Sequence, residues 1–294
     1  MLKTKGPLLL AFNHPNSFLD AIILDILFDQ PVWSLARGDA FKGKAISFIL
    51  RSFRILPVYR TSEGTEKLSE NYKTFDACIE IFQEDGCVQI FSEGRCVNEW
   101  HLRPLKKGTA RLANMAWDNN IPLRVLPLGI NYSSFERFGK NVFINFGDFI
   151  HSSDIDLTAS DGVRNQVFNN LLQEQLQGLI YEIDLKDKDT QRRLLVREPS
   201  LLKKIILALP AAIGFILNAP LYLPIRSFVK QKAGGTGHYD SVMLGILMIV
   251  YPFYLLLLVL IAYLVTGSAW SWLLMLVGPF TAWSYVQLKE QLDK

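Results

Sequence analysis

One eight-residue block, Asn13-His14-Pro15-Asn16-Ser17-Phe18-Leu19-Asp20, holds the pairing best suited to chemistry. An imidazole can take a proton from an alcohol near neutral pH, and general-base help of this kind is worth about 10²–10⁴-fold. A carboxylate that accepts from one ring nitrogen fixes the tautomer and stabilises the imidazolium, leaving the other nitrogen for the substrate proton. Asp20 lies one helical turn into the segment after His14, close enough to reach back. A His and an Asp in a loop are more often structural, so the pair needs company. Three segments supply it. Arg54-Ile55-Leu56-Pro57-Val58-Tyr59-Arg60 is a strand ending on a cation, and a guanidinium there suits bidentate phosphate recognition. Phe91-Ser92-Glu93-Gly94-Arg95 is a strand ending on an acid, a glycine and a second cation. Leu126-Pro127-Leu128-Gly129 is an apolar strand with an embedded proline.

These blocks need a scaffold that brings strand ends together. Pro7–Phe12 is an apolar run that stops at a turn signal, and Leu19–Phe28 has helical character. The alternation continues with strands at Val32–Ala36, Ile55–Tyr59, Val88–Phe91, Val125–Ile130 and Val142–Phe146. Helices are predicted at Phe41–Leu50, Thr65–Phe82 and Thr109–Trp117. Such alternation predicts an α/β fold, a mixed sheet flanked by helices, with the active site in loops beyond the strand ends. Lys106 and Lys107 precede the helix at Thr109 and make a second anion site, although a solvated helix face explains them equally well.

The remaining chain is of another character. Asp161–Ile183 places Val163, Val167, Leu171, Leu172, Leu176, Leu179, Ile180 and Ile183 at helical spacing, an amphipathic stripe for packing on the domain. Lys186-Asp187-Lys188-Asp189 is a solvated linker. Val242–Val265 is 24 residues without a charge, longer than the ~20 needed to cross the hydrocarbon core. Ala269–Val286 is a second uncharged stretch after a three-residue turn, so the two form a hairpin with both outer ends on one side. The nearby cations Lys230 and Lys232 place that side in the cytoplasm. Ile205–Ile225 is uncharged but holds Pro210, Pro220 and Pro224, which favours an interfacial or re-entrant segment over a third span. The expected divisions are an α/β domain at 1–155, an amphipathic helix and linker at 156–198, the basic-flanked segment at 199–232, and a transmembrane hairpin at 233–294.

Composition agrees. The apolar fraction is 50% and mean hydropathy is +0.18, with the excess gathered in residues 199–288. A net charge of +3 carries no nucleic-acid footprint. Between Arg197 and Lys232, however, six cations face the single acid Glu198, a pattern that an anionic membrane surface attracts. Cys78, Cys87 and Cys96 show no disulfide or metal-ligand spacing and fit reduced, cytoplasm-facing thiols. His101, His151 and His238 lack metal-ligand spacing, and no serine-hydrolase elbow or nucleotide loop occurs.

Taken together, Asn13–Asp20, Ile55–Arg60, Phe91–Arg95 with Lys106-Lys107-Gly108-Thr109-Ala110, and Val125–Leu128 resemble the glycerolipid acyltransferase family. The resemblance covers roughly residues 7–150 and includes lysophosphatidate and glycerol-3-phosphate acyltransferases. It implies that His14 and Asp20 form a catalytic dyad. Arg60 would contact the acceptor phosphate, Glu93 and Gly94 would line the acceptor site, and the region around Pro127 would shape the acyl pocket. The implied co-substrates are an acyl thioester, either acyl-CoA or acyl carrier protein, and a glycerol-phosphate or lysophospholipid acceptor, with neither cofactor nor metal. The implied protein is integral to the lipid bilayer, with its catalytic domain in the cytoplasm. Five residues separate His14 from Asp20 where the family's commonest block has four; a branch with similar spacing carries an Asn at the place of Asn16. Arg95 stands where the family has Thr-Arg, an extra cation near the phosphate site. Family members usually carry a helical segment before the first strand, whereas six residues precede Pro7 here. A thioester or lipid hydrolase and a non-catalytic lipid-binding protein are the alternatives.

Overall fold

The computed structural model describes residues 2–59 and 70–293. The chain forms two compact units, residues 1–131 with 144–182, and residues 132–143 with 183–294. The apolar runs become strands β1 (Leu8–Phe12), β2 (Val32–Arg37), β3 (Ile55–Val58), β4 (Cys87–Phe91), β5 (Arg124–Tyr132) and β6 (Val142–Phe146). Their order in the sheet is β3-β2-β4-β1-β5-β6. β1 pairs in parallel with β4 and β5, and β2 with β3 and β4. Beyond β6 the chain bridges antiparallel to β5 through Ile150 and Val125. The sheet is therefore mixed, as expected.

β1 lies inside the sheet and all five of its residues are buried. A strand covered on both faces needs apolar side chains on both, which is why Leu8–Phe12 shows no alternation. Around the sheet stand α1 (Phe18–Leu27), α2 (Lys44–Ser52), α3 (described from Glu70 to Gln83), α4 (Lys107–Asp118) and α5 (Asp161–Leu179). Phe82, Leu112, Trp117, Phe168, Leu172 and Leu176 fill one core with Leu9, Val88 and Val125. Full burial of such side chains contributes about 1.5–3 kcal/mol each.

The amphipathic helix is not a separate segment, because α5 belongs to the compact unit that holds the sheet. Its buried row is Arg164, Phe168, Leu172 and Leu176, while Val163 and Val167 are exposed. Arg164 donates to Asp118 at 2.7 Å, so a buried cation occupies the place expected of an apolar residue. Asp187, placed in a solvated linker, instead caps α6 (Lys188–Leu195) by accepting from the Thr190 N–H.

The second unit gathers α6, α7 (Leu201–Ala233), α8 (Tyr239–Thr266) and α9 (Leu274–Leu288) with residues 132–143. α7 is a continuous 33-residue helix through Pro210, Pro220 and Pro224, not a segment broken by them. Around the second proline, side chains add bonds to the helix: Asn218 donates to the Gly214 carbonyl and Tyr254 to that of Leu217. α8 ends on Gly267 at φ 63, the left-handed conformation suited to glycine. A five-residue 3₁₀ turn, Ala269–Leu273, then leads into α9. Among the described residues, α7 and α8 are the helices long and apolar enough to cross a membrane.

α7 and α9 approach closely at Gly214. A Cβ there would lie 2.0 Å from the Thr281 carbonyl oxygen, a main-chain atom that cannot swing aside. Gly214→Ala is expected to destabilise the helical unit by about 1–3 kcal/mol. Thermal unfolding in detergent should show a lowered midpoint, and an unchanged one would contradict this packing.

Candidate active site

The loops that follow β1 and β4 meet at the carboxyl ends of these neighbouring parallel strands, the edge where open α/β sheets place ligands. Asn13 opens the first loop. Its side chain donates to the Ile130 carbonyl at 3.0 Å and accepts from the Ile130 N–H at 2.8 Å. That double bond to main chain continues the β1–β5 pairing one step past the last ladder residue.

His14 follows, and its Nδ1 lies 2.9 Å from Asp20 Oδ2. Asp20 is fully buried in the first turn of α1, and the same oxygen accepts from the Asn16 N–H at 2.8 Å. With Asp20 ionised, Nδ1 carries the proton and Nε2 the lone pair. Among the described residues Nε2 has no hydrogen-bond partner. The imidazole stacks on Phe91, with centroids 3.6 Å apart, so the ring plane is fixed as well as the tautomer. Ser17 takes φ 50, uncommon outside glycine, and its N–H is held by Cys96 Sγ at 3.0 Å. This sharp turn allows an acid six positions after the histidine to reach back to it.

The second loop clasps the first from below. The Val97 N–H donates to the His14 carbonyl, Asn98 donates to the Pro15 carbonyl, and the Ser92 N–H donates to the Phe12 carbonyl. Glu93 is the centre of the clasp. One carboxyl oxygen accepts from the His14 N–H at 3.1 Å and the other from the Arg103 N–H at 3.0 Å. Burial pushes this carboxyl up to about 7, against the two backbone N–H groups that pull it down. Gly94 sits at φ 66, and a Cβ there would come within 3.0 Å of Lys106 Cγ.

The candidate residues therefore divide. His14, Asp20, Asn16 and Glu93 are joined by hydrogen bonds. Asn16 is fully buried and Glu93 is 5% exposed, because the two loops fold over them. Their place is to hold the dyad. Arg95, Lys106 and Lys107 are exposed on the loop after β4 and at the start of α4, with no bond to the dyad. Arg60 lies outside the described residues. Pro127 is buried in β5 opposite Ala11, inside the sheet. Cys78 and Cys87 are buried, and desolvation pushes both thiols up to about 12, so neither is a nucleophile. Asn13, Phe91 and Asn98 were not anticipated as functional. Asn13 adjoins the histidine and Phe91 opens the Ser-Glu-Gly block, so position was their only signal.

Residues 1–131 match the family model described as Acyltransferase. No curated protein sequence matches the chain. A crystal structure of the 1-acyl-sn-glycerophosphate (LPA) acyltransferase PlsC from Thermotoga maritima aligns with 60% of this chain and 68% of that one. Identity is 14% and the TM-score 0.42, too loose a likeness to bear on function.

Glu93 generates a pH test. An acid whose pKa is raised by folding binds its proton more tightly in the folded state. It favours folding below the usual carboxyl range and loses that advantage as pH rises through about 7. Between pH 5 and pH 8, Glu93→Gln should gain on the parent protein by on the order of 2 kcal/mol. Thermal unfolding in detergent at the two values would check this, and parallel shifts in both proteins would rule Glu93 out as the titrating group.

Proposed function

We propose, on the premise that residues 1–131 form an acyltransferase-family domain, that this chain transfers a fatty acyl group to a glycerol-phosphate acceptor. The donor is an acyl thioester, acyl-CoA or acyl carrier protein. The acceptor is a hydroxyl of glycerol-3-phosphate or lysophosphatidate. The observation that carries this reading is the 2.9 Å contact between His14 and a fully buried Asp20 at the carboxyl edge of the sheet. His14 Nε2 takes the hydroxyl proton as the oxygen attacks the thioester carbonyl. The new C–O bond forms, the C–S bond breaks, and the departing thiolate takes its proton from the imidazolium. Asp20 stabilises the charged ring throughout. Arg60 holds the acceptor phosphate by family resemblance, and the exposed Arg95, Lys106 and Lys107 add positive charge beside β4 and α4.

The second unit supports work at a bilayer. In α7 and α8 only 17% of each most apolar window is buried, the reverse of a soluble core helix. α8 and the arm from Ala269 to Leu288 form the membrane hairpin; five 3₁₀ and fifteen α residues give the arm about 32 Å, near the hydrocarbon thickness. α8 begins and α9 ends against the same short loop, through Lys140 with Asp240 and through Arg137 with Glu290. That loop also meets the end of α6 and the later part of α7. Asn141 donates to the Leu195 carbonyl, and Phe138 packs on Tyr222. Cations at both ends, Lys203 and Lys204 and then Lys230 and Lys232, favour an interfacial or re-entrant α7 with all four on the cytoplasmic side.

Two experiments test these assignments. Purified protein should acylate glycerol-3-phosphate or a lysophospholipid from labelled acyl-CoA, and His14→Ala should lose at least about 10²-fold in turnover while still folding. Free fatty acid without ester product would favour hydrolysis, and full activity in the variant would remove His14 from the mechanism. For topology, Thr236→Cys and Ser268→Cys are to be treated in sealed vesicles with an impermeant thiol reagent. Labelling of position 236 from the side of the catalytic unit, and of 268 only from the other, is expected. Equal labelling from one side would exclude the hairpin.

A further inference from the structure

α2 departs from the other helices of the catalytic unit. It joins β2 to β3, which are parallel neighbours, and a helix in such a crossover ordinarily buries one face on the sheet. α4 buries seven of its residues in this way, whereas α2 buries none. Its apolar row is nonetheless well formed. Ile46, Ile49 and Phe53 recur at helical spacing and are 51%, 50% and 72% exposed, while Phe48, 74% exposed, falls on the other side of the helix. On the opposite row stand Lys44, Ser47 and Arg51, while Lys42 and Arg54 flank the ends. From Ala40 to Ser62 the chain contains no acid.

We infer that α2 is an interfacial helix that docks the catalytic unit onto an anionic lipid surface. An exposed apolar row opposite a cationic one is the composition that lies in the headgroup region, with its apolar side a few ångströms into the acyl boundary. The charge pattern selects lipid over a second copy of the chain. Two copies of this segment would carry eight cations and no acid to answer them, so a second copy offers the helix no complementary charge. An anionic headgroup layer accepts the same four cations favourably. α2 follows the 3₁₀ turn Gly38–Phe41, which leaves the carboxyl end of β2, so its first residues start from the sheet edge that also bears His14. Docking there sets that edge beside the phase in which a lipid acceptor is dissolved. The inference rests on the proposed work at a bilayer, not on the dyad.

The test uses the full chain in liposomes, with p-benzoylphenylalanine in place of Ile49 or Phe53 and radiolabelled lipid. Lipid crosslinks that grow with phosphatidylglycerol content and fall at high salt are expected. The double variant Ile49→Ser with Phe53→Ser should raise KM for a bilayer-embedded lysophospholipid about ten-fold, by loss of two apolar anchors. Its kcat with a soluble acceptor should not change. Crosslinks to a second copy, crosslinks within the chain, or no crosslink at all would overturn the inference. Because crosslinking needs no acyl transfer, an inactive protein that still crosslinks lipid would fault the catalytic assignment and leave the docking helix standing.

Discussion

A histidine can serve as a base on a loop only if that loop is held as firmly as a strand, and here the holding is done by main-chain hydrogen bonds across two strand ends. Asn13 binds both backbone groups of Ile130, and Glu93 joins the amides of His14 and Arg103. Neither contact touches the imidazole. Both fix the backbone from which it projects, and Phe91 and Asp20 then fix its plane and tautomer. Each bond alone contributes about 1 kcal/mol, but a buried donor left without a partner costs more than a made bond supplies. The clasp is cooperative for that reason: loosening one loop strands groups on the other. The parallel sheet makes this possible, since β1 and β4 end side by side and release their loops in the same direction.

Much of this was legible in the chain. His14 stands in the turn after an apolar run and Asp20 six positions on, in the first turn of the helix that follows, and a pattern of strand, turn and helix has few ways to keep them separate. The pleated core was equally plain, because an uninterrupted run such as Leu8–Phe12 must be covered on both faces. Side-chain direction in the loops was not. Glu93 and Arg95 look alike in sequence as polar residues after a strand, yet one turns inward to two amides and the other lies exposed. The difference is set by Gly94 between them, at φ 66, and by the return of the chain at Arg103 ten residues later. Local spacing does not encode such a path.

The helical unit shows a second kind of illegibility. Three prolines argue for breaks in α7 when each is weighed by its cost in a water-exposed helix. Here neighbouring helices hold it instead: α9 packs against Gly214, and Tyr254 of α8 bonds the Leu217 carbonyl. The helix therefore continues. Residues 132–143 were also hard to place. They leave the sheet as an ordinary connection between β5 and β6, but their partners Asp240, Glu290 and Asp293 lie about a hundred or more positions away. Contacts so distant in sequence leave no periodic trace.

The brace at Glu93 has a consequence for how this protein can vary. Both of its partners are peptide amides, and no substitution at His14 or Arg103, proline excepted, can remove or move them. A paired arginine and aspartate can drift together through compensating changes; this contact has only one mutable member. Damage at position 93 is therefore without second-site remedy among its own bonding partners, and any suppressor must act by rerouting the loop itself.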